Sequence, residues 1–186
     1  MKAIALLGSP RKGGNTDLLA DEFLRGAADA GAEVEKVCLD DLWIRPIAEV
    51  DDVLAERVDL REDDDFPALL DKVLAAEVLV LASPVYWQGV TAQMKCFVDR
   101  WSCHFRRDAF QCGMRGKVIV VLCAFGVKNL AHGEWVTGPV KEWAKVLKAD
   151  YFGDVCVSAH EKGAVRSMPD VLQRAYDLGQ RAVSGR

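Results

Sequence analysis

Residues 3–16 read Ala-Ile-Ala-Leu-Leu-Gly-Ser-Pro-Arg-Lys-Gly-Gly-Asn-Thr, and this stretch decides the fold. Its first five residues form a continuous apolar run, which is typical of a strand buried on both faces of a parallel sheet. The glycine-rich turn after the run leads into a segment, Thr16 to Ala30, whose apolar residues repeat at helical spacing. A strand, a turn and a helix in this order predict the first unit of an α/β domain.

Four more segments have the composition of strands. Two are continuous apolar runs, 78–82 and 118–124, and two, 33–39 and 151–158, mix polar with apolar residues and are predicted at the sheet edges. Segments with helical spacing lie between and after them. Strands and helices that alternate five times predict a parallel sheet with helices on both faces and right-handed crossovers.

Two segments carry more local expectations. The charged stretch from Asp40 to Asp65 is weakly periodic and is expected to be a partly helical excursion over the surface, with its acidic end, Glu62 to Asp65, as a solvated helix start. Ser167-Met168-Pro169-Asp170 resembles a capping box at the start of the last helix.

Length and composition favour a single domain, residues 1–186, and exclude several classes. The chain has 24 basic and 28 acidic residues and a net charge of −4, without the basic stripe that nucleic-acid binding requires. No apolar run approaches the roughly 18 residues of a membrane span.

The six cysteines are scattered, with no C-x-x-C and no signal peptide, which favours a reducing, cytoplasmic location. No metal site is predicted, because cysteines and histidines lack ligand spacing.

The turn at residues 8–16 has the chemistry of a phosphate site. Ser9, Asn15 and Thr16 offer hydrogen-bond donors, Arg11 offers a charged fork, and the helix dipole adds positive potential. A nucleoside triphosphate site is disfavoured, since Gly-Asn stands where Lys-Ser or Lys-Thr would follow, and the dinucleotide pattern G-x-G-x-x-G is absent. The turn alone is also compatible with an ordinary glycine-rich connection in which Asn15 caps the helix.

A second loop, Ser83 to Gly89, follows the third strand. Parallel strands bring their carboxyl ends to one edge, so this loop lies beside the first one and presents Tyr86 and Trp87 to a ligand there. A planar ring could lie against these side chains. Each aromatic residue could equally cap the core or an oligomer interface.

Together, residues 8–16 and residues 83–100 (Ser-Pro-Val-Tyr-Trp-Gln-Gly-Val-Thr-Ala-Gln-Met-Lys-Cys-Phe-Val-Asp-Arg) closely resemble the NADPH-dependent FMN reductase family, in particular its iron–sulfur flavoprotein branch. The resemblance extends over nearly the whole chain, including Leu39-Asp40-Asp41-Leu42 and the stretch from Gly163 to Arg181.

The resemblance implies a fold and a set of FMN contacts. The fold would be a flavodoxin-like three-layer sandwich, with a five-stranded parallel sheet in the order 2-1-3-4-5. A loop after the fourth strand, which departs from the family's glycine-rich pattern, would approach the flavin ring through Phe125 and Gly126. The remaining contacts that the resemblance implies are Ser9, Arg11, Asn15 and Thr16 around the phosphate, and Pro84, Val85, Tyr86, Trp87 and Gly89 along the flavin ring.

One departure concerns the iron–sulfur cluster. The branch places closely spaced cysteines in the segment that corresponds to residues 42–52, whereas this chain reads Leu-Trp-Ile-Arg-Pro-Ile-Ala-Glu-Val-Asp-Asp there. A cluster needs about four cysteine ligands. The sequence therefore predicts a protein that holds FMN alone.

The function that the resemblance implies is an FMN-dependent NAD(P)H oxidoreductase. It would pass electrons from NADPH or NADH to a quinone, a flavin or another small acceptor, and it would need no catalytic side chain, because the cofactor does the chemistry. The resemblance also implies a homodimer or homotetramer. The alternatives are a flavodoxin-like FMN electron carrier without nicotinamide reactivity and, less favoured, a relative that has lost its flavin.

Overall fold

The computed structural model describes residues 1–47 and 63–185, and it confirms the predicted sheet. Five parallel strands pair in the order β2-β1-β3-β4-β5. The strands are β1 (Lys2–Leu7), β2 (Glu33–Cys38), β3 (Val78–Pro84), β4 (Val118–Phe125) and β5 (Asp150–Ser158). The helices of the described residues are α1 (Asn15–Asp29), α2 (Phe66–Ala75), α3 (Ala92–Asp99), α4 (Asp108–Met114), α5 (Glu134–Leu147) and α6 (Pro169–Ser184). Among these helices, none is both long enough and apolar enough to cross a membrane.

The sheet is covered on both faces because its central strands are apolar between Lys2, at the start of β1, and Ser83, near the carboxyl end of β3. In β1, Ala3, Ala5 and Leu7 pack with the apolar side chains of α1 and α6. The alternate residues Ile4 and Leu6 pack with α2, α3, α4 and α5 on the opposite face. The continuous apolar runs therefore predict these strands correctly, and the mixed segments form the edge strands β2 and β5.

The helices α1 and α6 touch through their backbones. A β-carbon on Gly26 would collide with the Tyr176 carbonyl oxygen, and one on Gly179 would collide with the Phe23 carbonyl oxygen. Only glycine fits at these two positions. The contact fixes α6 against α1, the helix that begins at the functional edge of the sheet.

Two local expectations are wrong. Met168, rather than Ser167, precedes the first turn of α6, and the Ser167 hydroxyl donates to the Ala164 carbonyl at 2.8 Å instead of capping the helix.

In the acidic segment before α2, the Asp64 side chain is buried rather than solvated. The Asp64 carboxylate forms an ion pair with Arg100, and it accepts the backbone N–H of Arg45 at 3.0 Å and that of Phe66 at 3.1 Å. The rest of the predicted excursion from Asp40 to Asp65 includes a 3-10 turn at Leu39–Asp41. Residues 48–62 lie outside the described residues.

Candidate functional site

The loops that follow β1, β3, β4 and β5 enclose a cleft of ≈ 280 Å³ at the carboxyl edge of the sheet. The cleft lies where the strand order reverses around β1 and β3, which is the usual ligand position in an open parallel sheet. Its lining residues are Ser9, Arg11, Gly14, Asn15, Thr16, Pro84, Val85, Tyr86, Ala124, Phe125, Gly126, Ala159, His160 and Lys162.

Backbone hydrogen bonds between loops fix the walls of the cleft. The Val85 N–H donates to the Ala124 carbonyl at 3.0 Å, which joins the loop after β3 to the end of β4. The Ala159 N–H donates to the Phe125 carbonyl at 2.8 Å, which joins the loop after β5 to the same strand. These two hydrogen bonds within the protein therefore fix the positions of three of the loops that wall the cleft.

The turn between β1 and α1, residues 8–14, is named here the glycine loop, and its shape is held by its own hydrogen bonds. The Arg11 N–H donates to the Ser9 hydroxyl oxygen at 3.1 Å, and the Gly14 N–H donates to the Arg11 carbonyl at 2.9 Å. The Gly13 N–H donates to the Asp17 carboxylate at 2.7 Å. These three amides are therefore already hydrogen-bonded within the protein.

Glycine is required in this loop for two physical reasons. Gly13 has a φ of 69°, in the left-handed region that other residues enter at a cost. A β-carbon on Gly14 would lie 2.7 Å from the Arg11 carbonyl oxygen, and one on Gly8 would lie 2.6 Å from the Thr91 hydroxyl oxygen. The tight turn thus exists only with small residues at these positions.

The donors that remain for a ligand are of the kind that binds phosphate. Ser9 and Thr16 are buried and bring their hydroxyl groups to the cleft, and the exposed Arg11 lines it as well. The first amides of α1, at Asn15 and Thr16, have no acceptor within the helix and add the positive end of the helix dipole. Hydroxyl, amide and guanidinium groups are the donors that anion sites in proteins use.

The Asn15 side chain is hydrogen-bonded within the protein. Its amide nitrogen donates to the carbonyls of Ala159 at 3.0 Å and Glu161 at 2.9 Å, and its oxygen accepts the Val165 N–H at 3.3 Å. Both amide protons are therefore committed to the loop after β5, although Asn15 lines the cleft. Asn15 is not the helix cap either, since that position belongs to Gly14.

The opposite end of the cleft is apolar. The residues that line it are Pro84, Val85, Tyr86, Phe125 and Gly126. Apolar walls suit a planar ring. The five predicted residues are thus brought together at one end of the cleft.

Trp87 and Gly89 are not part of the cleft lining. Tyr86 and Gly89 exchange two backbone hydrogen bonds, at 3.0 and 3.2 Å, and form a tight hairpin, residues 86–89, named here the aromatic hairpin. Its central residues Trp87 and Gln88 have φ values of 49° and 61°, as a type I′ turn requires. This turn directs the Trp87 side chain outward, with a relative exposure of 101%. The structure therefore does not place Trp87 and Gly89 with the other predicted ring contacts in the lining of the cleft.

The loop after β5 lines the cleft as well, although no motif in the sequence predicts it as part of the site. It contributes Ala159, His160 and Lys162 to the lining. A β-carbon on Gly126 would lie 2.6 Å from the His160 Nδ1 atom, so Gly126 leaves the space that the imidazole occupies. The rule that ligands bind at the carboxyl ends of parallel strands applies to β5 as well, and it could have identified these residues.

Some basic side chains at the rim of the cleft are paired with carboxylates and others are not. The Lys12 ammonium lies 2.7 Å from the Asp41 carboxylate, and the hydrogen bond and charge of Asp41 raise the pKa of Lys12. Within residues 1–47 and 63–185, neither Arg11 nor Lys162 has an ion-pair partner. The polar end of the cleft therefore carries two basic side chains whose charge no described carboxylate pairs.

The fold and the cleft define a flavodoxin-like α/β protein whose candidate ligand site lies at the switch point of its sheet. The chain belongs to the NADPH-dependent FMN reductase family, whose profile matches residues 1–163.

Individual relatives agree with this assignment. An iron–sulfur flavoprotein of Archaeoglobus fulgidus is 36% identical over 146 residues, which cover 78% of this chain and 65% of that protein. A Bacillus subtilis protein named "Putative NAD(P)H-dependent FMN-containing oxidoreductase YwqN" is 32% identical over 111 residues, 59% of this chain and 57% of that protein. The chain thus spans less than two thirds of the length of these two relatives.

The fold is also that of solved structures. The structure named Trp repressor binding protein from Bacillus subtilis superposes with a TM-score of 0.74 at 24% sequence identity, covering 96% of this chain and 98% of that one. This likeness concerns the fold.

Proposed function

We propose that this chain binds FMN in the cleft and acts as an NAD(P)H oxidoreductase that passes electrons to a small acceptor such as a quinone or a flavin. The observation that carries the proposal is the two-ended cleft. Phosphate-type donors from Ser9, Arg11 and Thr16 lie at one end, and the apolar walls around Tyr86 and Phe125 lie at the other.

The residues of the cleft fit FMN in chemical type. A phosphate monoester carries a charge of about −1.5 to −2 at neutral pH and offers three acceptor oxygens, which match hydroxyl, amide and guanidinium donors. The apolar end matches the isoalloxazine ring. The close packing of Gly8 and Gly14 preserves the turn that presents these donors.

When bound, FMN supplies the acceptance of hydride from the nicotinamide and the onward transfer of electrons. The side chains have three other tasks. Arg11, Ser9 and Thr16 hold the phosphate, Pro84, Val85 and Tyr86 orient the ring, and Phe125 closes the opposite side against water. No side chain is proposed as nucleophile or general base.

We expect flavin without an iron–sulfur cluster, although the relative from Archaeoglobus fulgidus is named an iron–sulfur flavoprotein. The sequence from residue 39 to residue 95 contains no cysteine, so Cys38 is the nearest thiol to the segment where that branch has its cluster ligands. Iron content of the purified protein at background level would agree with this expectation.

We also expect a homodimer or homotetramer in the cytoplasm. Phe105 and Trp135 are 39% and 44% exposed and could be buried by another copy. Sedimentation of the holoprotein tests the assembly, and a fully active monomer would contradict it.

The deciding experiment is a visible absorption spectrum of the purified protein, recorded before and after addition of FMN and then of NADPH or NADH without oxygen. Flavin bands that change on binding and bleach with nicotinamide are expected. Binding without bleaching would favour the electron carrier. A protein that binds no FMN would overturn the central proposal.

A further inference from the structure

The segment after β5, residues 159–166, is named here the wall loop, because it runs along the whole cleft. At the apolar end, its His160 packs against Gly126, where a β-carbon would lie 2.6 Å from Nδ1. At the polar end, the Lys162 Cε atom lies 3.9 Å from the position of a β-carbon on Gly13. The wall loop therefore brings a lysine to the glycine loop from the other side of the cleft.

The Asn15 side chain holds the wall loop in this position. Its three hydrogen bonds reach Ala159, Glu161 and Val165, so one side chain at the start of α1 fixes the loop on both sides of Lys162. The contacts join residues that are 144, 146 and 150 positions apart. Asn15 thus acts on the wall loop rather than on a ligand.

A phosphate monoester carries a charge of about −1.5 to −2 at neutral pH, which exceeds the single positive charge of Arg11. The amides of Arg11, Gly13 and Gly14 are already bonded within the protein, and Lys12 is paired with Asp41. Among the basic side chains that line the cleft, the unpaired ammonium of Lys162 is the next candidate.

We propose that Lys162 is a second cationic ligand of the FMN phosphate, opposite Arg11, and that Asn15 is the positioning residue that brings Lys162 there. This inference rests on the proposed function, since it names residues that complete the same site. It assigns the wall loop as the second half of a phosphate site whose first half is the glycine loop.

Arg166 provides a matched control for charge. Its Nη2 atom lies 3.8 Å from the β-carbon position on Gly13, about as near as Lys162 comes to it, but its side chain does not line the cleft. A general electrostatic field would give similar effects on removal of either cation. If Lys162 contacts the phosphate directly, only the removal of Lys162 should weaken FMN binding strongly.

The experiment compares FMN with riboflavin, which lacks the phosphate, by titrating apoprotein and following flavin fluorescence. Lys162→Gln is expected to weaken FMN binding about tenfold and to leave riboflavin binding unchanged, because one charge-assisted hydrogen bond is lost. Lys162→Arg should retain FMN binding. Arg166→Gln should change it by less than about threefold.

Three results would overturn the assignment of Lys162: unchanged FMN binding by Lys162→Gln, an equal loss of riboflavin binding, or an equal effect of Arg166→Gln on FMN binding. A wild-type protein that binds no FMN would instead refute the proposed function, so the two failures are distinguishable. The urea midpoint of each variant verifies that the fold is intact.

The role of Asn15 is tested by combining Asn15→Ala with Lys162→Gln. If Asn15 acts through Lys162, Asn15→Ala weakens FMN binding in the wild type but has a much smaller effect in the Lys162→Gln background. If the double variant loses FMN affinity by the product of the two single-variant factors, the positioning role of Asn15 is refuted.

Discussion

The glycine loop and the aromatic hairpin flank the same cleft and hold their shapes in opposite ways. In the glycine loop, the left-handed residue is Gly13, and the loop's own hydrogen bonds fix the turn. In the aromatic hairpin, the left-handed residues are Trp87 and Gln88, and the hydrogen bonds between Tyr86 and Gly89 close the turn.

The difference shows which of the two turns has an unstrained backbone and which has a strained one. A left-handed backbone costs a glycine little and costs a bulky side chain of order 1–3 kcal/mol. The glycine loop is therefore ready for a ligand without strain, whereas the hairpin carries strain at its tip. Removing glycine should damage the first loop, and adding glycine should relax the second.

The largest effect is expected from Gly14→Ala, because the new β-carbon would lie 2.7 Å from the Arg11 carbonyl oxygen. The loop must open, which should weaken FMN binding about a hundredfold and lower the free energy of unfolding by about 1–3 kcal/mol. Flavin titration and urea unfolding measure the two effects.

Gly89→Ala is the matched control for this change in the hairpin. A β-carbon there would lie 4.0 Å from the Tyr86 carbonyl oxygen, which is an ordinary contact. FMN affinity and stability should both stay near wild type. A loss as large as that of Gly14→Ala would show that the contrast between the loops is not steric.

The second effect is that of Arg11→Ala, which removes the charged fork of the glycine loop. FMN binding should weaken about 10- to 100-fold, while riboflavin binding stays unchanged. Unchanged FMN affinity would disprove the phosphate role of Arg11. Binding of both flavins to the same apoprotein provides the internal control.

Gln88→Gly is expected to have a smaller effect, and it should raise the stability of the protein rather than lower it. Glycine is favoured at the second central position of a type I′ turn, so the variant should gain about 0.5–1 kcal/mol of unfolding free energy. The measurement is the urea concentration at the midpoint of unfolding, compared between variants whose unfolding free energy has the same dependence on urea concentration. Destabilisation would indicate that the Gln88 side chain contributes contacts that outweigh the strain.

The smallest effect is expected from Trp87→Ala, since the indole lies outside the cleft. Alanine keeps the backbone strain, and FMN affinity should change by less than about twofold. Tyr86→Ala, which removes a lining side chain, should weaken binding more. If Trp87→Ala has the larger effect, the hairpin must fold over the bound ring.

The sheet could be predicted from the sequence because its central strands are continuous apolar runs. Periodicity alone gives a parallel sheet with helices on both faces, and the strand order came from the family resemblance. The loops after β1 and β3 could be predicted from their own residues because distinctive loops follow recognisable strands, whereas the loop after β4 came from the family resemblance. The loop after β5 was missed because that edge strand alternates polar and apolar residues and gave a weaker signal.

Other details depend on partners that are distant in sequence. The donors of Asn15 could bind a phosphate or a carbonyl equally well, and nothing near it in the chain indicates Ala159. Asp64 looks like part of a solvated acidic run until Arg100 is placed beside it. Trp-Gln is not a sequence that predicts a type I′ turn, so the outward direction of Trp87 could not be anticipated.

The hydrogen bonds of Asn15 also have a consequence for how the protein is made. Residue 15 leaves the ribosome early, but its acceptors at residues 159 and 161 are synthesised 144 and 146 residues later. Such distant contacts form late in folding, because a long loop must close first. A nascent chain that ends before residue 159 lacks these acceptors, so the Asn15 side chain cannot make these hydrogen bonds until the segment after β5 has been synthesised.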